Sequence, residues 1–144
     1  MILFESSKTK NIKSHIANLV AIAKSDGEFS IAEKRLIFDI GIKNGLSTEQ
    51  IKKIIKSDKP IEFKMPDNDS DRFEELFDLV QMMMADGVCS EDELSNCIEI
   101  AEKLGFRNAI VGVLVRRIVT LMSGEEPKSK EEIRILCSDF LNFN

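Results

Sequence analysis

The sequence predicts an all-α protein of about seven helices with no β-sheet. Apolar residues recur at the spacing of a helix face along most of the chain, and four Ser-x-x-Glu or Ser-x-x-Gln strings mark helix starts. The string Asp26-Gly27-x-x-Ser30-x-x-Glu33 also returns sixty residues later as Asp86-Gly87-x-x-Ser90-x-x-Glu93. Such a repeat indicates two equivalent helical units, which we expect to be related by a pseudo-two-fold axis.

The first repeat, at about residues 8–57, contains three predicted helices. Gly27 suits the left-handed position just after the first helix, and Gly45 ends the second. Ser30 and Ser47 begin the second and third helices as capping boxes, in which the Ser hydroxyl accepts from a free amide and the Glu or Gln three residues later reaches back. The three helices are expected at about 8–25, 30–44 and 47–56.

A linker at 58–66, which holds two of the three prolines, separates this repeat from a second one at about 68–122. The second repeat is expected to form helices at about 70–85, 90–105 and 108–122. The last of these is apolar on most sides, so we expect it to lie centrally in the core. Ser129-x-x-Glu132 then caps a C-terminal helix at about 129–143, and all of 1–144 is expected to form one domain.

Composition places the chain among ordinary globular proteins. Of its 144 residues, 43% are hydrophobic and 31% are charged. The longest apolar stretch, 109–115, is too short for a transmembrane segment, and the first residues lack the basic start of a signal peptide. We therefore expect a cytoplasmic protein.

Charge is distributed unevenly along the chain. Residues 1–64 carry a net charge of +4 and residues 65–144 carry −9, for a total of −5. This acidity predicts no nucleic-acid partner, because phosphate binding needs clustered basic residues. The exception is a lysine cluster in the third helix and just after it, which we interpret as the solvated face of that helix: Lys52, Lys53, Lys56 and Lys59. The oppositely charged halves are suited to a protein partner or to a homo-oligomer.

The residue types of common catalytic and metal sites are scarce. The three cysteines form no C-x-x-C pair, so we expect buried, reduced thiols. His15, the only histidine, cannot by itself supply the imidazoles of most catalytic zinc sites, and we expect it at the surface. Of the three consecutive methionines, Met84 belongs to the expected core stripe, and Met82 is expected to be the more exposed.

The repeated string matches only the second half of a calcium-binding EF-hand loop. With Gly27 at the sixth loop position, Asp26 and Glu33 fall on the fifth and twelfth. The first and third positions are Ile22 and Lys24, which offer no anionic oxygen. A standard EF-hand is therefore excluded. Turn and cap chemistry explains these residues, and a carboxylate site for a divalent cation at the same turns stays open.

The pattern of a helix, (Ala/Ser)-Asp-Gly-x-x-Ser-x-x-Glu and a second helix ending in Lys-x-Gly-(Leu/Phe) resembles the TerB-like family of tellurite-resistance proteins. The resemblance covers about Leu19 to Met122. It implies an all-helical domain with internal two-fold symmetry, no established reaction, and acidic residues proposed to bind metal ions. Lys24 is a departure from what a metal site requires, because it puts a positive charge beside the proposed cation position at the first turn. The residues to which the resemblance extends a metal-binding role are Asp26, Glu33, Asp86 and Glu93.

These observations favour a non-enzymatic TerB-like domain that binds a divalent cation, a protein partner or both in a stress-response setting. The identity of the cation is open. The first alternative is a metal-free interaction module. The second is a hydrolase with paired carboxylates, which requires a cleft between the two Asp-Gly turns.

Overall fold

The computed structural model describes residues 5–24, 29–59, 61–85 and 90–141, and within these ranges the regular structure is entirely helical. The expected all-α class with seven α-helices is confirmed. The helices are α1 Ser7–Lys24, α2 Ile31–Lys43, α3 Thr48–Lys56, α4 Asp69–Met83, α5 Glu91–Lys103, α6 Asn108–Ser123 and α7 Lys130–Leu136, followed by a 3-10 helix at Ser138–Leu141.

All four expected capping boxes are present. At the start of α2, the Ser30 hydroxyl accepts from the Glu33 amide at 3.0 Å, and the Ser30 amide donates to Glu33 Oε1 at 2.8 Å. The same pair of bonds begins α3, α5 and α7. Because each box satisfies two backbone donors that a helix end leaves free, these four helices begin where local sequence dictates.

Helices α1 and α4 pack against each other at the centre of the molecule. Helices α2 and α3 pack against α1 and against one another, and α5 and α6 do the same around α4. Helix α1 also contacts α5, which joins the two halves further. The core at the central pair consists of fully buried side chains, including Ile16, Leu19, Ile22, Phe73, Leu76 and Leu79.

The sixty-residue offset of the sequence repeat is kept in the helix bounds. Helices α2 and α5 each span thirteen residues and begin and end sixty positions apart, and α3 and α6 also begin sixty positions apart. Gly45 and Gly105 follow α2 and α5 with φ of +95° and +99°, a backbone conformation that glycine adopts without steric cost. The spatial relation of the two halves by a pseudo-two-fold axis stays a prediction.

The structure contradicts two expectations about the C-terminal third. Helix α6 is peripheral: Val111, Leu114 and Ile118 are buried, whereas Val113 is 54% exposed on its other side. The exposed face also carries two arginines, so this helix contributes only one stripe of buried side chains to the core. The last helix does not continue to about residue 143, because α7 ends at Leu136 and a 3-10 helix follows. Ser138 and Asp139, which are weak helix formers, begin that 3-10 segment.

No helix within the described ranges is long and apolar enough to cross a bilayer.

Candidate functional site

Glu33 and Glu93 occupy equivalent positions in the two halves. Each is 1% exposed, and each uses Oε1 to accept the backbone amide of the Ser that caps its helix. In Glu33, the second oxygen, Oε2, is also buried and accepts no hydrogen bond from any residue within 5–24, 29–59, 61–85 or 90–141. A buried carboxylate oxygen without a donor costs free energy, because it has lost its hydration without replacement. The capping role of both residues is confirmed, and at Glu33 it leaves one oxygen without a donor among the described residues.

The other two predicted metal ligands, Asp26 and Asp86, lie outside the described residues. The approach of Asp26 to Glu33, and of Asp86 to Glu93, stays a prediction. Within 5–24, 29–59, 61–85 and 90–141, no three His, Cys, Asp or Glu side chains converge in a way that would hold a metal ion. A cation site at these turns would therefore depend on the Asp of each Asp-Gly pair.

A buried polar cluster that sequence reasoning missed lies between α1 and α4. His15 is only 2% exposed, so its expected surface position is wrong. Its Nε2 lies 2.9 Å from Asp78 Oδ2, and its Nδ1 lies 3.5 Å from Glu75 Oε1. Both carboxylates belong to α4, and both residues are 8% exposed. With a carboxylate at each ring nitrogen and almost no exposed surface, this imidazole is unable to reach a bound substrate.

A signal for this cluster was present in the sequence. His15 follows Ile12 by three positions and precedes Leu19 by four, so it lies on the apolar stripe of α1. Glu75 and Asp78 are three positions apart and therefore share one face of α4. The sequence therefore contains both the histidine on a core stripe of α1 and the acidic pair on one face of α4. Only the packing of α1 on α4 shows that they meet.

Burial governs the protonation of Glu75. Removal from water raises the pKa of Glu75 to about 7, partly offset by His15 and reinforced by the negative charges of Asp78 and Asp71. A carboxyl with this pKa exchanges its proton near neutral pH.

Helix α7 covers one edge of α4 through charged contacts. Lys130 and Arg134 each lie 2.7 Å from a different oxygen of Glu74, and Lys130 Nζ lies 4.0 Å from Asp78 Oδ1. The same two cations lie over the rings of Phe77 and Phe73. Cation–π contacts and ion pairs hold α7 on α4. The contacts account for these cations without a ligand.

The two described thiols and two of the consecutive methionines of α4 are core residues, whereas Met84, which was expected in the core stripe, is only partly buried. Cys97 and Cys137 are fully buried, as expected, and burial raises the pKa of the Cys137 thiol. Met82 and Met83 are also fully buried, so the expected exposure of Met82 is wrong. Helix α4 packs against α1, α5 and α6, so little of its surface is exposed near Met82 and Met83. Cys89 lies outside the described residues.

Two surface grooves have the size of small binding sites. One, of about 280 Å³, lies between α2 and the end of α4, where Arg35, Asp39 and Gln81 are its polar lining residues. The other, of about 480 Å³, lies between α1, α3 and the segment after α3. Among the described lining residues, each groove offers one carboxylate, Asp39 or Asp58, whereas the carboxylate hydrolase needs two.

A comparison of the chain with protein-family models, with curated proteins and with solved structures finds no match in any of the three.

Proposed function

We propose that this chain is a non-enzymatic helical domain that binds a divalent cation at the first Asp-Gly turn, and that it acts through a protein partner. The observation that carries the proposal is the Oε2 atom of Glu33, which is buried and accepts no hydrogen bond from the residues that the structure describes. A hard cation supplies the positive charge that such an oxygen lacks. The resemblance to TerB-like proteins supports the same residues, and it is the source of the proposed stress-response setting.

The proposed ligands are the carboxylates of Asp26 and Glu33, completed by backbone oxygens and water. Glu33 keeps its capping bond through Oε1 while Oε2 faces the ion, so cation binding and helix capping do not compete. Calcium, magnesium and manganese prefer such oxygen ligands, whereas zinc prefers nitrogen and sulfur. Asp86 and Glu93 are the corresponding proposed ligands of the second turn.

Calorimetric titration of the chelator-treated protein with each of these four cations tests the proposal. We expect saturable binding of an oxygen-preferring ion, and we expect Glu33→Gln and Asp26→Asn each to weaken it by at least tenfold. The matched control is Glu132→Gln, since Glu132 closes the same kind of capping box at Ser129 with no Asp-Gly turn before it. Absence of saturable binding to the wild type, or equal loss in the control, would refute cation binding.

A metal-free interaction module is the second candidate, and the lysine-rich surface of α1 and α3 favours it. No carboxylate within the described ranges lies within 4.0 Å of the ammonium groups of Lys24, Lys52, Lys53, Lys56 or Lys59. In the homo-oligomeric version of this module, the basic half of one molecule pairs with the acidic half of another. Sedimentation velocity at low and high salt tests that form, because such an association weakens as salt screens the charges. A monomer under both conditions would eliminate it.

A further inference from the structure

The groove between α1 and α3 has an apolar floor and a basic rim. Its volume is about 480 Å³, and its floor is formed by small or branched side chains of both helices and of the following segment. Ala17 and Ala21 lie one turn apart on the same face of α1, so that face is recessed. Their small size leaves space for an inserted side chain. The remaining apolar lining residues are Val20, Ile54 and Ile61.

Two lysines lie at the rim, and the fold fixes the side chain of one and the backbone of the other. Lys24 Nζ donates to the backbone oxygen of Ile55 at 2.7 Å, which fixes the ammonium at the C-terminal end of α3. The backbone amide of Lys59 donates to Ser57 Oγ at 3.1 Å, which orders the turn that carries this side chain. Asp58 is the one acidic residue among the described lining residues. With two lysines and one aspartate, the described lining carries a net positive charge.

A polar group of the lining also lacks a partner. Asn18 Nδ2 is buried and donates no hydrogen bond within the part of the chain that the structure describes. An amide donor at this place suits the carbonyl oxygen of a bound backbone. Lys52, Lys53 and Lys56 of α3 are also exposed, and they add positive charge near the groove without lining it. A ligand that meets the apolar lining, the Asn18 amide and the two lining lysines must combine an apolar side chain, a backbone carbonyl oxygen and negative charge.

We infer that the α1–α3 groove binds an acidic segment of a partner protein, which inserts an apolar side chain over Ala17 and Ala21 and pairs its carboxylates with Lys24 and Lys59. The inference rests on the proposed non-enzymatic, partner-binding role and gives that partner a chemical class. A recessed apolar surface accepts a protruding side chain, whereas a membrane-binding surface needs apolar side chains that protrude. This shape favours a peptide over a lipid surface of the same charge.

Selection of random peptides displayed on phage against the full chain, in the presence of EDTA, tests the inference. We expect the selected peptides to share an apolar residue flanked by at least two Asp or Glu, with affinities measured by fluorescence anisotropy. Lys24→Glu with Lys59→Glu should weaken binding by on the order of tenfold or more. Ala21→Trp, which fills the recess, should weaken it similarly without changing the net charge.

Lys10→Glu is the matched charge control, since Lys10 is exposed on α1 about four turns from Lys24. It should change affinity by less than about twofold at physiological salt. Thermal melts of all variants check that the fold is kept. The inference is overturned if no acidic peptides are selected, or if Lys10→Glu weakens binding as much as the rim variants. It is also overturned if the rim variants abolish only self-association or only binding to anionic phosphatidylserine vesicles. Because EDTA removes divalent cations, failure here leaves the proposal for Asp26 and Glu33 unaffected.

Discussion

The His15, Glu75 and Asp78 side chains form the largest concentration of buried ionisable groups within the described ranges. Removing one member of such a cluster leaves the others desolvated and incompletely paired, which costs more than the net value of the interaction. His15 is therefore a structural residue that links α1 to α4. Burial raises the pKa of Glu75 in this cluster, and this makes the stability of the fold sensitive to pH.

Replacement of Glu75 by Gln should remove part of the pH dependence of stability. The folded-state pKa of Glu75 is raised from 4.5 to about 7, so the folded protein holds this proton more tightly than the unfolded chain does. The resulting stabilisation is fully present below pH 4.5 and is lost as the pH rises through 7. Linkage gives a loss of up to about 3 kcal/mol. Urea unfolding at pH 5 and pH 8 should show this decrease in the wild type and a much smaller one in the variant.

Several charged groups around Glu75 also affect its pKa. They are His15 from α1 and Asp71 and Asp78 from α4, while Lys130 of α7 acts through Asp78. A matched control is Glu102→Gln, an exposed carboxyl of α5, which should leave the pH dependence unchanged. If the difference in unfolding free energy between wild type and Glu75→Gln is equal at the two pH values, Glu75 is not the responsible group.

At the scale of the element, the contact between α2 and α3 depends on a glycine. A Cβ placed on Gly41 would lie 2.6 Å from Ile51 Cδ1 and 2.9 Å from its Cγ1. Ile51 is fully buried, so it has little room to adjust. We expect Gly41→Ala to lower the free energy of unfolding by about 1–3 kcal/mol, in spite of the higher helix propensity of alanine. Chemical denaturation measures this change.

Gly112 in α6 provides the matched comparison for Gly41. A Cβ at Gly112 would have the end of the Arg116 side chain, at 3.7 Å, as its nearest neighbour. The same substitution there should therefore be neutral or should stabilise by about 0.5–1 kcal/mol. Equal effects at the two positions would show that helix propensity, and not the α2–α3 contact, determines the outcome.

At the scale of the whole molecule, the two halves should fold as one cooperative unit. Helix α1 of the first half has its fully buried residues in a core shared with α4 and α5 of the second. A fragment of residues 1–66 would expose that face to water and lose the burial on which its helices depend. We expect neither 1–66 nor 67–144 to show a cooperative thermal transition alone by circular dichroism. A mixture of the two should recover one. Independent cooperative melting of either fragment would show that each half is a separate folding unit.

Local sequence was sufficient for the class and for most helix boundaries. Helical periodicity, the Ser-x-x-Glu/Gln boxes and the glycines after α2 and α5 act through neighbours within a few residues, so their effects can be read along the chain. The position of α6 and the length of α7 could not be read this way. A helix is central or peripheral according to which other helices cover it, and hydrophobicity alone does not specify them.

The sequence by itself determined an all-helical chain with a repeated capping pattern, because these features depend on backbone hydrogen bonds between close neighbours. It also identified Glu33 and Glu93 as capping residues and as candidate metal ligands. Only the tertiary structure decided that His15 meets Glu75 and Asp78, and that Lys24 and Lys59 border one apolar groove. It also decided that Glu33 has a buried oxygen without a hydrogen-bond donor among the described residues. These facts depend on contacts between helices far apart in the chain, which follow from the packing of α1 against α4 and α3.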